Sequence, residues 1–349
     1  MIHGFNEEEL YMPIKANAGM RVAAQPSANL SDSDLAFINQ LGVSDVVLWS
    51  GKEKANYDFC VQVKKRFNDA GIDVHSLGNS TIHCKDSFVL NLPDREAKLE
   101  VYKQHIRDLG KAGIPYMTHA HIANGIWCSP STRTRGGAET RMLDLEGEKK
   151  GRSPQHTPHG FFSGPLSHGR AYSEDEIWEN YEYFIRQIAP VAEESNVKIG
   201  VHPDDPPVPE LAGIPRCFYS FDSYKRALEI ADSPNIGICL CVGCWLEGGK
   251  SMGKDVFETI KYFGEQNKLF KVHFRNVDRP LPRFVETFID DGYMDMYKVV
   301  RALREADYNG VIIPDHVPKM EGGENVGMAY TVGYMKALVE RANAEAGSG

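Results

Sequence analysis

RVAAQPSANLSDSD, residues 21–34, is the stretch on which the architecture turns. RVAAQP (21–26) reads as a short strand, and PSANLSDSD (26–34) leads from it into an amphipathic segment without the G-x-G-x-x-G signature of a dinucleotide-binding turn. A doubly wound open sheet built around a dinucleotide carries that signature at its first strand–helix connection. Its absence favours a sheet that closes on itself. The same unit then recurs. Further strand candidates are DVVLWS (45–50), DVHSLG (73–78), PYMTHAHI (115–122), VKIGVHP (197–203), IGICLCVG (236–243), FKVHFRNV (270–277) and GVIIPDHVP (310–318).

Helical patterns separate these runs. Pro93 and Asp94 open a segment in which Leu99, Tyr102, Ile106 and Leu109 share a face, and Ser173 with Glu176 has capping-box spacing before Ile177, Tyr181, Phe184, Ile185 and Ile188. Eight strand–helix units imply parallel neighbours and a single (β/α)8 TIM barrel spanning residues 1–345, with 346–349 set aside as a tail. One connection is irregular: residues 123–172, after the fourth strand, form a loop rich in Gly, Pro, Ser, Thr, Arg and His. Loops of that length are usually functional or disordered.

Composition narrows the partners. The 349 residues are 42% hydrophobic and 25% charged, with a formal net charge of −9. An acidic balance disfavours a nucleic-acid groove, which needs clustered Lys and Arg, so a small molecule is expected. No apolar run approaches the roughly 20 residues of a membrane span. The acidic start, MIHGFNEEEL, is unlike a secretory signal, and a cytoplasmic protein is expected. Seven cysteines, an odd number, read as free thiols.

In a barrel of this kind the chemistry sits at the C-terminal ends of the strands. Strand five ends at His202, strand six at Cys241, strand seven at His273, and strand eight at Asp315 followed by His316. A lone strand-end histidine is more often packed than ligating. Four metal-competent side chains on neighbouring strands reverse that preference, and a thiolate, two imidazoles and a carboxylate suit zinc, iron or cobalt on ligand chemistry alone. In HPDDPPVPELAGIPR, too proline-rich for a helix, Asp204 is placed to orient a ligand from behind, while Asp205 reads equally well as an acid facing water. Arg275 shares the side of His273 by the period of two and suits an anionic substrate, with Asn276 next in line. ICLCVGCW (238–245) contains a C-x-x-C but no second ligand pair, so Cys241 reads as the ligand, Cys239 as core and Cys244 as a loop residue in the turn after Gly243.

KIGVHPDDPP, LCVG, KVHFRNV, FIDDGYMDMYKVVRALREADYNGVIIPDHVP and GMAY resemble the D-mannonate dehydratase family of xylose-isomerase-like barrels. The resemblance is dense from about 197 to 335 and thin before that. It implies a manganese-dependent lyase, with Fe2+ or Co2+ as other candidate ions, that converts D-mannonate to 2-keto-3-deoxy-D-gluconate in hexuronate breakdown. Carried over by motif, the metal ligands fall on His202, Cys241, His273 and Asp315, and the acid/base pair on His316 and Tyr330. Arg275 would then meet the substrate carboxylate, with Arg133 or His121 closing over it. The family's Trp-Thr-Arg-Thr element survives only in pieces, as Trp127 and then Thr132, Arg133 and Thr134, which leaves the identity of the sugar acid open. An isomerase or epimerase of the same barrel group and a sugar-acid binding protein are the competing readings. A homo-oligomer is compatible with any of them.

Overall fold

Eight parallel strands close into a barrel in the computed structural model, which describes residues 19–51, 56–146, 166 and 168–346. They are β1 (Arg21–Ala24), β2 (Asp45–Ser50), β3 (Asp73–Asn79), β4 (Tyr116–Ala120), β5 (Lys198–His202), β6 (Ile236–Cys241), β7 (Leu269–Phe274) and β8 (Val311–Pro314). Each pairs with its neighbour in the sequence, and the ring is sealed where Arg21 of β1 lies opposite Val311 of β8. The expected closed sheet is therefore present, and the open doubly wound alternative is excluded. The acidic segment 1–18, residues 147–165 and 167 of the long loop, and 347–349 of the tail lie outside the described residues.

The interior and exterior of the barrel are packed differently. Ala23, Val47, Val311 and Ile313 form a small cluster inside it. Lys271 of β7 points across the same interior, its ammonium 5.4 Å from the ring of Tyr116 on β4. Outside, one large cluster joins the opposite strand faces to the helices, as alternation along a buried strand requires. Helix Arg95–Ala112 buries Leu99, Tyr102, Ile106 and Leu109, the face that the spacing predicts, and stops at Gly113, whose φ of +70° lies in the left-handed region. Helix Glu174–Glu194 opens with the Ser173–Glu176 capping box complete in both directions. Among the described residues, no helix is long and apolar enough to cross a membrane.

Six of the eight strands are shorter at their C-terminal ends than the apolar runs suggested, whereas β2 ends at Ser50 as expected and β3 runs one residue further, to Asn79. β6 stops at Cys241, which becomes the N-cap of helix Val242–Gly248, so Cys244 lies in a helix and not in a turn. After β7, Asn276–Val277 leave the barrel to pair antiparallel with Arg283–Thr287, and that strand pairs in turn with Met142–Asp144. The long loop after β4 thus contributes a strand to a three-stranded sheet over the mouth. β8 ends at Pro314, and His316 has a φ of +46°, a left-handed conformation that no strand can continue.

Candidate active site

The four strand ends converge. His202, Cys241 and His273 place one ligand atom each within 4.8 Å of one another. His202 Nε2 lies 3.2 Å from His273 Nδ1, and Asp315 Oδ2 lies 3.7 Å from Cys241 Sγ and 3.6 Å from His273 Nδ1. His202 Nδ1 donates to the carbonyl of Pro203 at 2.7 Å, which fixes the tautomer and leaves Nε2 with a lone pair turned to the centre. His273 Nε2 is buried with no hydrogen-bond partner among the described residues. Burial opposes a thiolate at Cys241, but contacts with Cys244, Arg275, His202 and His273 overcome it and hold the thiol well below its ordinary pKa. Burial also opposes charge on His202 and His273. For His202 the Cys241 thiolate reverses this, and for His273 Cys239 and Asp315 do, so both imidazoles are raised. The Cys241, Cys239 and Asp315 groups drawing protons onto two imidazoles form a field that a divalent cation also satisfies, so the donor set fits a metal.

Behind this centre lies an ionic network that sequence reasoning did not find. Arg275 is 2% exposed and donates from Nε to Asp315 Oδ2 at 3.0 Å. Its terminal nitrogens reach Glu247, Asp205 (3.2 Å) and Glu286 (3.1 Å). Arg141 meets Asp205, Glu247 (3.4 Å) and Glu286 (2.8 Å) and donates to the Trp127 carbonyl at 2.9 Å. Asp205, Cys244 and Glu247 also cluster closely enough to hold an ion, but the guanidinium of Arg275 already contacts all three. Burial pushes Glu247 up to about 8, and the neighbouring Asp205 and Glu286 carboxylates add to it against the pull of Arg275 and Arg141. Charged residues on one strand-end line gave a sign for Arg275. Nothing in the local pattern marked Arg141, Glu247 or Glu286, whose partners lie far along the chain.

His316 stands between two carboxylates. Its Nδ1 donates to Glu286 Oε1 at 2.7 Å, and its Nε2 is 3.8 Å from Asp315 Oδ1. Burial disfavours the imidazolium, yet Asp315 and Glu286 together lift the pKa to about 9. Tyr330, in helix Glu324–Ala346, accepts a long hydrogen bond from Arg135 at 3.4 Å, and Arg135 is itself paired with Asp290 at 2.8 Å.

The remaining expectations need correction. Arg275 presents no free guanidinium to a substrate, because its donors are taken by carboxylates, Asp315 among them. Asn276 is fully buried, and its amide donates to Met294 O at 2.8 Å and Ile289 O at 3.4 Å, which ties down the turn before the next helix. His121 lies in an aromatic cluster with Tyr181, Phe184 and Phe218, and burial pushes its pKa down to about 3. Arg133 is exposed and donates to its own loop at Gly137 O. Asp204 is buried against Arg216 (3.0 Å) and the Phe218 amide (2.7 Å), where it pins the 203–218 segment; the group that orients His202 is the Pro203 carbonyl. Asp205 does not face water, since it is 1% exposed between two guanidinium groups. Cys239 is core, as expected.

A (β/α)8 barrel with a thiolate–imidazole–carboxylate centre at its C-terminal rim and a histidine beside it defines a metal-competent barrel enzyme. The comparisons with known proteins are specific within that class. The chain belongs to the D-mannonate dehydratase family, a family of hydro-lyases: its model, "D-mannonate dehydratase (UxuA)", matches residues 162–344. Mannonate dehydratase of Oceanobacillus iheyensis is 30% identical over 298 residues, covering 80% of this chain and 80% of its own length. That of Streptococcus suis is 29% identical over 293 residues, covering 80% and 78%. The crystal structure of mannonate dehydratase from Streptococcus suis serotype 2 superposes with a TM-score of 0.82 at 25% identity, covering 95% of each chain. An L-ribulose 3-epimerase shares the fold at a TM-score of 0.60 and 14% identity. The resemblance read from the strand-end motifs is borne out, and the isomerase and binding-protein readings are not favoured.

Proposed function

We propose that this protein dehydrates D-mannonate to 2-keto-3-deoxy-D-gluconate, as one catalytic domain over residues 1–345 of a cytoplasmic enzyme in hexuronate breakdown. The observation that carries the reading is the placement of His316, hydrogen-bonded to Glu286 and directly beside the ligand Asp315. His202, Cys241, His273 and Asp315 hold the ion, with manganese the choice that the family suggests and Fe2+ or Co2+ able to occupy the same donors. When bound, the ion stabilises negative charge beside the substrate carboxylate as the adjacent C–H bond ionises.

The chain's own groups do the rest. Arg275 holds Asp315 from behind and keeps its carboxylate ionised and aimed. His316 and Tyr330 share the base and acid roles: one takes the C2 proton, the other protonates the C3 hydroxyl, which departs as water. The resulting enol tautomerises to the 2-keto acid. Glu286 sets the ring orientation of His316, and the Arg135–Asp290 pair holds the Tyr330 hydroxyl.

Manganese-loaded protein incubated with D-mannonate tests the reading directly. Appearance of a 2-keto-3-deoxy acid is expected; an isomer of unchanged mass would overturn it. His316→Asn should keep its metal and lose turnover by about two orders of magnitude or more. Following exchange of the C2 proton with solvent in His316→Asn and Tyr330→Phe then separates base from acid, because only loss of the base abolishes exchange.

A further inference from the structure

The metal-competent residues occupy only half of the barrel mouth, on β5 to β8. The other half is also built. By the alternation of a strand, the inward line of β8 runs from Ile313 to Asp315, that of β7 from Lys271 to His273, and that of β6 from Cys239 to Cys241. On the opposite side it runs from Ala23 to Gln25 after β1 and from Val47 to Trp49 on β2, and Ala23, Val47 and Ile313 touch one another inside the barrel. Arg21 lies opposite Val311, so four residues further along both strands Gln25 is level with Asp315. Gln25 therefore stands level with Asp315, and Trp49, bridged to Ser27, stands two residues further towards the mouth on the inward line of β2.

Gln25 lines a cavity of about 370 Å³ together with Asp315 and His316. Its side-chain Oε1 is buried and has no hydrogen-bond partner among the described residues. Trp49 lies flat over Gly78 of β3, where a Cβ would come within 2.5 Å of the indole, so the glycine makes room for the ring. His83, in the loop after β3, packs edge-on against Trp49 with ring centroids 4.6 Å apart. The Nδ1 of His83 is likewise buried without a partner among the described residues. Burial, then repulsion from His202 and from Lys271 and His273, pushes its pKa down to about 3, which leaves a neutral ring facing the metal centre. Two unmatched polar groups beside an aromatic face carry a desolvation cost that a ligand rich in hydroxyls would offset.

We infer that Gln25, Trp49 and His83 form the wall that reads the substrate: hydroxyls of the sugar-acid chain beyond the reacting carbons hydrogen-bond to the Gln25 amide and the His83 ring, and Trp49 packs against the chain. This rests on the sugar-acid dehydratase reading of the same site. The wall selects among epimers, because inverting one carbon removes a hydroxyl from its partner and leaves that partner buried and unmatched.

The test uses manganese-loaded wild type, Gln25→Leu, His83→Phe and Trp49→Phe with D-mannonate and a panel of epimeric aldonates, following metal content, turnover and calorimetric binding. Expected are wild-type manganese content in all three variants and a rise in KM of about tenfold for Gln25→Leu and His83→Phe, with an altered order of kcat/KM across the epimers. Wild-type turnover with KM and epimer order unchanged in the variants would overturn the wall and leave the dehydratase reading standing. Binding without turnover in wild type, lost in the two polar variants, would sustain the wall and defeat the reaction. A wild type that neither binds nor converts any acid would overturn both. Should a variant lose its manganese, Gln25→Glu and His83→Gln replace it, and an unchanged KM in those would count equally against the wall.

Discussion

Glu286 accepts the His316 hydrogen bond while the guanidinium groups of Arg141 and Arg275 approach the same carboxylate. Burial alone would raise its pKa, but His316 and the two arginines hold it down to about 2. Because the Glu286 charge helps keep the proton on His316, Glu286→Gln should move the His316 limb of the pH–rate profile to lower pH and reduce turnover by about tenfold. A profile that does not move would separate Glu286 from the reaction. The imidazoles proposed to hold the ion make a second prediction. His202 and His273 are both raised, so protons compete with an ion there, and manganese affinity should increase with pH and be accompanied by proton release. Calorimetric titration in buffers of different ionisation enthalpy reads that release. Cys241→Ala should lower manganese occupancy, measured by elemental analysis; unchanged occupancy would remove Cys241 from the ligand set.

At the scale of elements, what could be read from the sequence was what is local. Ser173 and Glu176 are three residues apart, and the helix they begin, Glu174–Glu194, follows from that spacing and its apolar face. Ser173→Ala removes the cap and should cost about 1 kcal/mol, seen as a lower urea midpoint with an unchanged slope, while Ser173→Asp should retain stability. The strand-end placement of His202, Cys241, His273 and Asp315 was legible for the same reason, because each follows an apolar run. The helix that begins at Val242 and the break after Phe274 were not: apolar residues continue past Cys241, and after Phe274 the chain stays extended through Asn276–Val277, so only tertiary pairing ends the barrel strand. The burial of Asp205 was hidden too. An Asp–Pro pair in a proline-rich segment looks like surface, and the arginines that make its burial tolerable are 64 and 70 residues away.

At the scale of the whole molecule, Arg141 joins loops that follow four consecutive strands: it comes from the loop after β4 and pairs with Asp205 after β5, Glu247 after β6 and Glu286 after β7. Replacing it with Met leaves three buried acids short of a cation, and a loss of about 3–5 kcal/mol in urea unfolding is expected. Within the same network Glu286 contributes acid sensitivity, while Glu247, pushed up to about 8, contributes in the opposite sense. A carboxyl held at about 2 in the folded protein and at 4.5 otherwise adds stability above about pH 4.5, and that stability drains away as pH falls towards 2. Urea unfolding between pH 7 and pH 3 should show the wild type losing more stability than Glu286→Gln as the pH falls.

The four residues proposed to hold the ion fall between 198 and 316, at the ends of consecutive strands, and β1 meets β8 at the seam that closes the barrel. The family's own model begins at residue 162 and so takes in this half without the strands β1 to β4. A recombination that exchanged residues 21–120 and kept 121–346 would pass on the proposed ion-holding residues and their charge network, Arg141 included, beneath a new first half of the mouth, so a change in the acid accepted would not require a new reaction centre.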